Sequence, residues 1–463
     1  MSDFSALNTA FTGLQAHRKR IDVIGENIAN AETPGYHRQV AHLNAIDTYR
    51  PGVFAGRRDR HSGVTAEVRR RWDELLDTNA KQERSRSASF EIQATALSSL
   101  EADLGPVGEG LSARLQELWN SFDDVANNPD DLGVRNVVIG NADAVASALR
   151  AGSQTIDGTR TGALERLEAK VTRINELSAR IAELDHTVVT GGATGHATTG
   201  VRDERDRLTA ELAELIGGQI SYNQNGQLRY SVDGHNLVSD GIPGTVSVAM
   251  TPDTALAALG YQRVSIVATS GRTLRLTGGA VHGGLQIVNE LIPAQLTALN
   301  NVAAATVNTV NALHQAGAGL DGGTGRSLFD TSGVAAVDVA VSTDVVGQPE
   351  KLAASDGSAL LDNSVARAIA DLAEDTAGPS GTHAQFVADL GIEVDKLNGR
   401  ADASRLASDH AEEARQSAVG VSLDEELADL VSAQRAYEAS SRMISAVDEM
   451  LDVLINRTGL VGR

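Results

Sequence analysis

Two stretches, one at each end of the chain, repeat apolar residues at the three- and four-residue steps of a helix that packs against another helix. At the start, Phe4, Leu7, Phe11, Leu14, Ile21 and Ile28 follow at steps of three, four, three, seven and seven, with Ile24 beside them. At the end, a ladder runs from Leu423 through Leu427, Leu430, Gln434, Tyr437, Ser441, Ile444, Asp448 and Leu451 to Ile455, with seven of ten rungs apolar. A single helix with one such stripe gains too little burial to offset the ordering of its backbone, so each ladder needs a partner. The simplest partner within the chain is the other ladder. The two ends are therefore expected to pair as a coiled coil that reaches full order beside neighbouring subunits.

Between the ladders there is room for more than one core: 463 residues at about 150 per domain suggest about three domains. Forty Lys and Arg stand against 61 Asp and Glu, a net charge of −21, which repels phosphate backbones and anionic membrane surfaces and argues against nucleic acid as a partner. The chain has no cysteine, which removes disulfides, thiolate metal sites and cysteine nucleophiles together. Aromatic residues make up only 3%, so cores must rest on Leu, Val, Ile and Ala. No apolar run approaches the ~20 residues of a membrane span, so no membrane insertion is expected. The opening MSDFSALNTAFTGLQAHRKR places its basic cluster after the apolar positions, the reverse of a secretory signal peptide.

The first ladder stops at Thr33-Pro34-Gly35, where proline drives the preceding residue out of the helical region and glycine permits a sharp turn. Residues 41–65 show no sustained period and read as an extended or short-strand connection. Helical periods are expected over 68–104, 109–127, 131–151, 160–189 and 202–216. Their breaks fall at Gly105-Pro106, at Asn127-Asn128-Pro129-Asp130 with Asp130 as N-cap, and at a flexible linker over 191–200. Over 217–283 the period falls to two, with tight turns at Asn225-Gly226 and Asp233-Gly234. After Gly284 the helical period resumes. The stretch 317–350 is Gly-rich and irregular with a short strand at 337–342, and helices return over 364–374, 384–417 and 421–457. The expected fold is mainly α with an inserted antiparallel β domain, elongated and multidomain. Residues 1–60 and 418–463 form the terminal coiled coil, 61–216 and 284–417 a helical domain, and 217–283 the β insertion.

Little in the sequence carries chemistry. None of the eleven His sits in a H-E-x-x-H pattern, and His37 and His42 flank a non-helical segment where five-residue spacing does not converge on one metal, so they are expected to face solvent. The common local signatures of hydrolases and P-loop proteins are missing, and Gly322-Gly323-Thr324-Gly325-Arg326-Ser327 lacks the lysine of a phosphate cradle and reads as a surface turn. No catalytic residue, metal ligand or cofactor is assigned. The basic run Arg57, Arg58, Arg60, Arg69, Arg70 and Arg71 reads as a solvated or subunit-facing surface. Asp203-Glu204-Arg205-Asp206-Arg207 is expected to cap a helix and form exposed pairs along it.

The segment Asn27-Ile28-Ala29-Asn30-Ala31-Glu32-Thr33-Pro34-Gly35-Tyr36 after ALNTAFTGLQAHRKRIDVIGE resembles the N-terminal signature of bacterial flagellar axial proteins, the rod, hook and hook-associated proteins. LDEELADLVSAQRAYEASSRMISAVDEMLDVLI is similar to their closing helix. Arg38-Gln39, the long helical block, DERDRL at 203–208 and GVSLDEE at 420–426 are most similar to the hook-associated members at the junction between hook and filament. Weaker likeness runs through NALHQAG at 311–317 and PEKLAAS at 349–355. The short 317–350 stretch departs from longer members, which carry an additional outer domain there.

The resemblance implies a structural subunit of the flagellum, with no enzymatic activity, in a ring of its own copies between hook protein and a second junction protein on the filament side. It implies an extracellular location reached through the flagellar type III apparatus without a cleaved signal peptide, and an export chaperone that holds the C-terminal helix. Leu7, Phe11, Leu14, Ile21 and Ile28 would then pack with Leu423, Leu427, Leu430, Tyr437, Ile444, Leu451 and Ile455. Asn27, Asn30, Thr33, Pro34, Gly35 and Tyr36 would set the turn that leaves the first helix. The competing readings are another axial subunit, of hook or distal rod, and a secreted enzyme carrying flagellar-type termini.

Overall fold

The computed structural model describes residues 2–33, 35–47, 62–105, 110–194, 198–223, 226–359 and 361–453. Helix α1 (Ser2–Ala29) leads into an antiparallel ribbon of β1 (Gln39–Asp47) and β2 (Ser62–Arg70), paired from Gln39 opposite Arg70 to Asp47 opposite Ser62. Of the connection expected over 41–65, 41–47 and 62–65 are strand and 48–61 lie outside the described residues, and β2 occupies the start of the stretch expected to be helical from 68. The ribbon lies on α1, where the Val64 N–H donates to Thr12 Oγ1 at 3.2 Å.

The body follows: α2 (Glu74–Leu104), α3 (Leu111–Asn127), α4 (Leu132–Thr194) and α5 (Thr199–Ile216). The Asp73 carboxylate caps α2 by accepting the Leu76 N–H at 3.0 Å, and Gly105, at φ 87°, ends it in a conformation that favours glycine. Along α3, Leu115, Leu118, Trp119, Phe122 and Val125 are buried at helical steps, and the Trp119 Nε1–H donates to Ser380 Oγ at 2.9 Å. The two helices expected over 131–151 and 160–189 are one helix of 63 residues. Gly152 marks a close crossing, since a Cβ there would lie 3.2 Å from Leu299 Cδ2, and the next turn buries Ile156 completely. The N-cap is Asp131 and not Asp130, with its carboxylate accepting the Gly133 N–H at 2.7 Å. At the linker expected over 191–200, α4 runs on to Thr194 and α5 starts at Thr199, while 195–197 lie outside the described residues.

Strands β3 (Gln219–Tyr222), β4 (Leu228–Val232), β5 (His235–Ser239) and β6 (Ile242–Pro243) form one antiparallel sheet in sequence order. Strands β7 (Val246–Thr251) and β8 (Arg263–Ala268), joined through the single-turn α6 (Thr254–Ala257), form a second hairpin. Asp233-Gly234 and Asp240-Gly241 make the tight turns with both residues at positive φ, the geometry that matches strand twist. Gly226 ends a turn in which its N–H donates to Asn223 O, while Asn225 lies outside the described residues. Leu228, Tyr230 and Val232 of β4 and Val264, Ile266 and Ala268 of β8 point inward into the same continuous core as Ile174, Leu177 and Ile181 of α4. The strands are a layer on the helical body. Asn175 fastens them, exchanging two 2.9 Å hydrogen bonds with the Val246 backbone.

Helix α7 (Gly279–Gln286) passes through a π turn at Ile287–Leu291 into α8 (Ile292–Ala316). Pro293 has no N–H to give the carbonyl four residues back, so the helix widens there. The Val288 carbonyl accepts Arg160 Nε–H at 2.9 Å, and Asn289 bonds both backbone groups of Val264 at 2.8 Å. Residues 317–350 are irregular as expected, but the strand foreseen at 337–342 is reduced to one bridge between Phe329 and Val341. Leu328, Phe329, Val339 and Val345 are fully buried there, so the stretch is packed against the body. His314 closes this region: its Nδ1 lies 2.7 Å from Arg326 O and its Nε2 accepts the Ala353 N–H at 3.0 Å. That contact joins NALHQAG to PEKLAAS. Helices α9 (Ser364–Ala370), α10 (Pro379–Val419) and α11 (Leu423–Asp452) complete the chain, with α10 packed along α2 and α11 along α1.

Candidate functional site

The two ends of the chain meet in the α1–α11 pair, but the line buried between them is not the line of large residues. On α1 the buried positions are Ala10, Gly13, Ala16, Val23, Ile24 and Asn27; on α11 they are Glu426, Ala433 and Val447. A Cβ on Gly13 would sit 3.6 Å from Ser440 Oγ. Small residues at the contact let two helices approach closely, which turns the larger rungs to the flanks. Leu7, Leu14, Ile21, Ile28, Leu430, Tyr437, Ile444 and Leu451 are half-buried. Phe11 is 51% exposed and Leu423 and Leu427 are 48% and 52% exposed, and Val431, Met443 and Met450 are exposed elsewhere on α11. Ile455 and Pro34 lie outside the described residues. The seam within the subunit thus buries small residues together with Val23, Ile24 and Val447, with most of the large rungs half-buried beside it and Phe11, Leu423 and Leu427 exposed.

The axial motif supplies the polar lock at the end of this seam. Asn27, 1% exposed, holds Gln39 like a strand partner: its Nδ2 donates to Gln39 O at 2.8 Å and its Oδ1 accepts the Gln39 N–H at 3.0 Å. The second Nδ2 hydrogen reaches Glu426 Oε2 at 3.0 Å, and the Tyr36 hydroxyl donates to Asn27 Oδ1 at 2.9 Å. Burial, followed by the nearby Glu26 carboxylate, pushes the Tyr36 hydroxyl up to about 12. Asn30 and Thr33 shape the turn: the Thr33 and Tyr36 N–H groups donate to Asn30 O and Thr33 O, and Gly35 adopts φ 82°. Arg38 then forks into the first turns of α11, with Nε 2.6 Å from Glu426 Oε1 and Nη1 2.6 Å from Glu425 Oε2, while Arg20 reaches Asp429 at 2.9 Å. Burial alone would lower the Arg38 guanidinium, but Glu425 and Glu426 hold it above its ordinary value.

A second cluster ties this lock to the body, through residues whose sequence readings need correction. His37, expected to face solvent, is 3% exposed, with Nδ1 3.0 Å from Asp203 Oδ1 and Nε2 3.3 Å from Arg415 Nη1; His42 is exposed. In the stretch 203–207 only Glu204 and Arg207 form the exposed pair that was expected. Arg205 and Asp206 are buried, Arg205 reaching Asp185 at 2.7 Å. Arg70 bridges Asp203 at 2.9 Å and Asp206 at 2.6 Å, and its guanidinium lies 4.7 Å from the centre of the Trp72 ring. Burial pushes the Asp206 carboxyl up, yet Arg70, Lys81 and Arg205 together hold it below the usual carboxylate range. Of the basic run, Arg69 is exposed beside Glu67 and Arg71 is exposed, whereas Arg57, Arg58 and Arg60 lie outside the described residues.

Among the described residues no group of three or more His, Asp or Glu is placed to hold a metal ion. The glycine-rich turn after Asp321 is closed by Arg326, which pairs with both Asp321 oxygens at 2.8 and 2.6 Å, leaving no cradle for a phosphate. No described helix is long and apolar enough to cross a membrane. What the arrangement offers is a braced pair of chain ends with several large apolar side chains exposed.

Residues 97–329 match the model of the flagellar hook-associated protein FlgK helical domain. Residues 7–37 match that of flagella basal body rod proteins and 414–457 that of the C-terminal region of flagellar basal body rod FlgEFG proteins. The chain is 27% identical to flagellar hook-associated protein 1 of Bacillus subtilis over 512 residues, covering 100% of both. It is 23% identical to the protein of that name in Salmonella typhimurium over 330 residues, 70% of this chain and 59% of the relative. Among solved structures it is similar to the flagellar hook junction protein FlgK from Burkholderia pseudomallei, with a TM-score of 0.48 and 23% identity over 55% of this chain and 46% of that one.

Proposed function

The chain belongs to the flagellar hook-associated protein FlgK family, and from that premise we propose that it is a structural subunit of the bacterial flagellum, forming the junction between hook and filament. The observation that carries the proposal is the α1–α11 pair, which brings both axial-type chain ends into one unit with Phe11, Leu423 and Leu427 about half exposed on its outer side. Large apolar side chains left half exposed on a packed helix pair suit a protein neighbour. In this reading the neighbours are other copies in a ring, hook protein on one side and a second junction protein on the other. The assembly residues are Leu7, Phe11, Leu14, Ile21 and Ile28 with Leu423, Leu427, Leu430, Tyr437, Ile444, Leu451 and Ile455. An export chaperone holds the C-terminal helix before assembly, and the chain leaves the cell without a cleaved signal peptide.

The proposed division of labour assigns 1–60 and 418–463 to the tube, 61–216 and 284–417 to the surrounding helical domain, and 217–283 to the outer β layer. Asn27, Asn30, Thr33, Pro34, Gly35 and Tyr36 fix the angle between tube and body, and the role requires no cofactor and no catalysis. The test is complementation of cells lacking the chain with Leu423→Asp/Leu427→Asp. Both positions are exposed, so the subunit should fold, while filaments fail to stay on the hook. Normal filament number and swimming with this double variant would overturn the assignment of this face.

A further inference from the structure

We propose that His314 is an acid-sensitive staple: the neutral ring fastens residues 349–355 to the end of α8, and a second proton on it releases them. The ring is completely buried and both of its nitrogens are committed. Nδ1 lies 2.7 Å from Arg326 O, a carbonyl that can only accept, so it carries the hydrogen. Nε2 accepts the Ala353 N–H at 3.0 Å, so it presents its lone pair. A proton added at Nε2 removes that acceptor and sets N–H against N–H, at an Ala353 that is itself only 2% exposed. The segment sits tight on the end of α8, where a Cβ on Gly317 would lie 2.9 Å from the Ala353 Cβ and 3.0 Å from Val365 Cγ1. Water therefore reaches the two N–H groups only when the segment lifts away.

Among the described residues no carboxylate is hydrogen-bonded to the ring, so none is in place to pair with its charged form. The charged groups that bear on it are Arg326 and Asp344 from the irregular stretch and Arg135 from α4. Arg326 is occupied by Asp321, and Arg135 is buried with its donors on Pro129 O and Leu352 O. Asp344 is exposed and accepts the Ser327 N–H at 3.3 Å. Helix α8 offers only the neutral Asn311 and Gln315 beside the ring, both engaged with residues 327–329. Helix α9 brings apolar Val365 and Ala366, whose N–H groups both donate to Ala354 O at 3.1 Å. Burial, the largest influence, holds the imidazole below its ordinary value, and the Arg326 carbonyl and Asp344 do not offset it. A ring freed from the site takes its proton near pH 6.5. The staple is thus at full strength above about pH 6.5 and weakens as the pH falls below it, because the released state binds the proton that the closed state refuses.

Release spreads because several elements hang on residues 349–355. The Leu320 N–H donates to Glu350 O and the Ala318 N–H to Ser355 O, both at 2.8 Å, so the stretch after α8 is tied to this segment. Arg135 reaches it from α4, and α9 is fastened to it at Ala354 O. Just before α9, Asn363 Nδ2 donates to Ala126 O of α3 at 2.6 Å. Acid therefore loosens the join of α3, α8 and α9. The staple is a property of the subunit and stands or falls independently of where the subunit assembles.

The test is hydrogen exchange, read by mass spectrometry on the full chain between about pH 8 and about pH 5 after correction for intrinsic exchange. In the native chain, amides of residues 318–328 and 349–355 should exchange about ten- to thirtyfold faster at the lower limit, the upper figure being the protonation factor of a freed ring that titrates near pH 6.5. In His314→Gln the amide can donate to Arg326 O and accept the Ala353 N–H but takes no proton, so the acceleration should fall to about twofold or less. His383→Gln, which removes a half-buried ring on α10, should keep it. Should His314→Gln fail to fold, the native profile decides: exchange should begin to rise near pH 6.5 and gain about tenfold per pH unit below it, the mark of one imidazole. A rise that sets in only below about pH 5 belongs to carboxylates and would overturn the proposal. So would an unchanged response in His314→Gln, or no response in the native chain.

Discussion

Asn27 fixes the terminal pair with all of its hydrogen-bonding capacity, spent on the buried Gln39 backbone and Glu426 and on the half-buried Tyr36 hydroxyl. Asn27→Ala would leave the Gln39 N–H and carbonyl without their partners, at about 1–3 kcal/mol for each buried group. Local stability of the α1–α11 pair, measured by denaturant-dependent hydrogen exchange, should fall by about 2–4 kcal/mol. Asn30→Ala, which removes a bond to Glu26 O and a long one from Thr33 Oγ1, both open to solvent, should cost less than about 1 kcal/mol. Equal small effects would contradict the role given to Asn27. The motif in the sequence singles out Asn27 and Tyr36, but not what they touch: Gln39 is 12 positions on and Glu426 is 399 away. His37 was misread for the same reason, since Asp203 and Arg415 come from distant helices. Arg205 and Asp206 did carry a local signal. Leu208, Leu212 and Ile216 lie three, seven and eleven positions after Arg205, on the helix face that is buried, so the period itself placed a cation against the core.

At the scale of elements, helix periods, breaks with proline and the Asp-Gly turns were legible, because each depends on residues within a few positions of one another. The unbroken α4 was not: separate periods were expected over 131–151 and 160–189, whereas Gly152 between them serves a crossing with α8. The coiled-coil seam was displaced for a related reason: an apolar ladder ranks Leu above Ala and Gly, but close packing at Gly13 favours the small residues. Two glycines separate these roles. A Cβ at Gly283 would lie 2.3 Å from the Ser89 carbonyl oxygen, whereas nothing comes within 4 Å of one at Gly158. Gly283→Ala should therefore destabilise the body by at least about 1–3 kcal/mol through forced separation of α2 and α7. Gly158→Ala should stabilise it by about 0.5–1 kcal/mol through helix propensity. Denaturant midpoints of the two variants compare them directly, and a stabilising Gly283→Ala would refute the close approach.

Over the whole molecule, the chain leaves the α1–α11 pair, builds a helical body with a β layer on α4, and returns to the pair, so the axial-type ends are braced by everything between them. Arg70, Asp203, Asp206 and Arg415 provide that brace on the body side, and Arg38 and Asn27 on the tube side. This suits the proposed function, in which the ends assemble with other flagellar axial components. The general family was legible from the ends, where the motif is short and local. The brace was not, because it joins residues from the β ribbon, α2, α5 and α10. The central claim, a place between hook and filament, is tested most directly by immunogold labelling of intact flagella from the source cell with antibody against the 219–268 strands. The account predicts a single band of label where hook meets filament; label along the whole hook or rod, or none on flagella from cells that contain the protein, would contradict it.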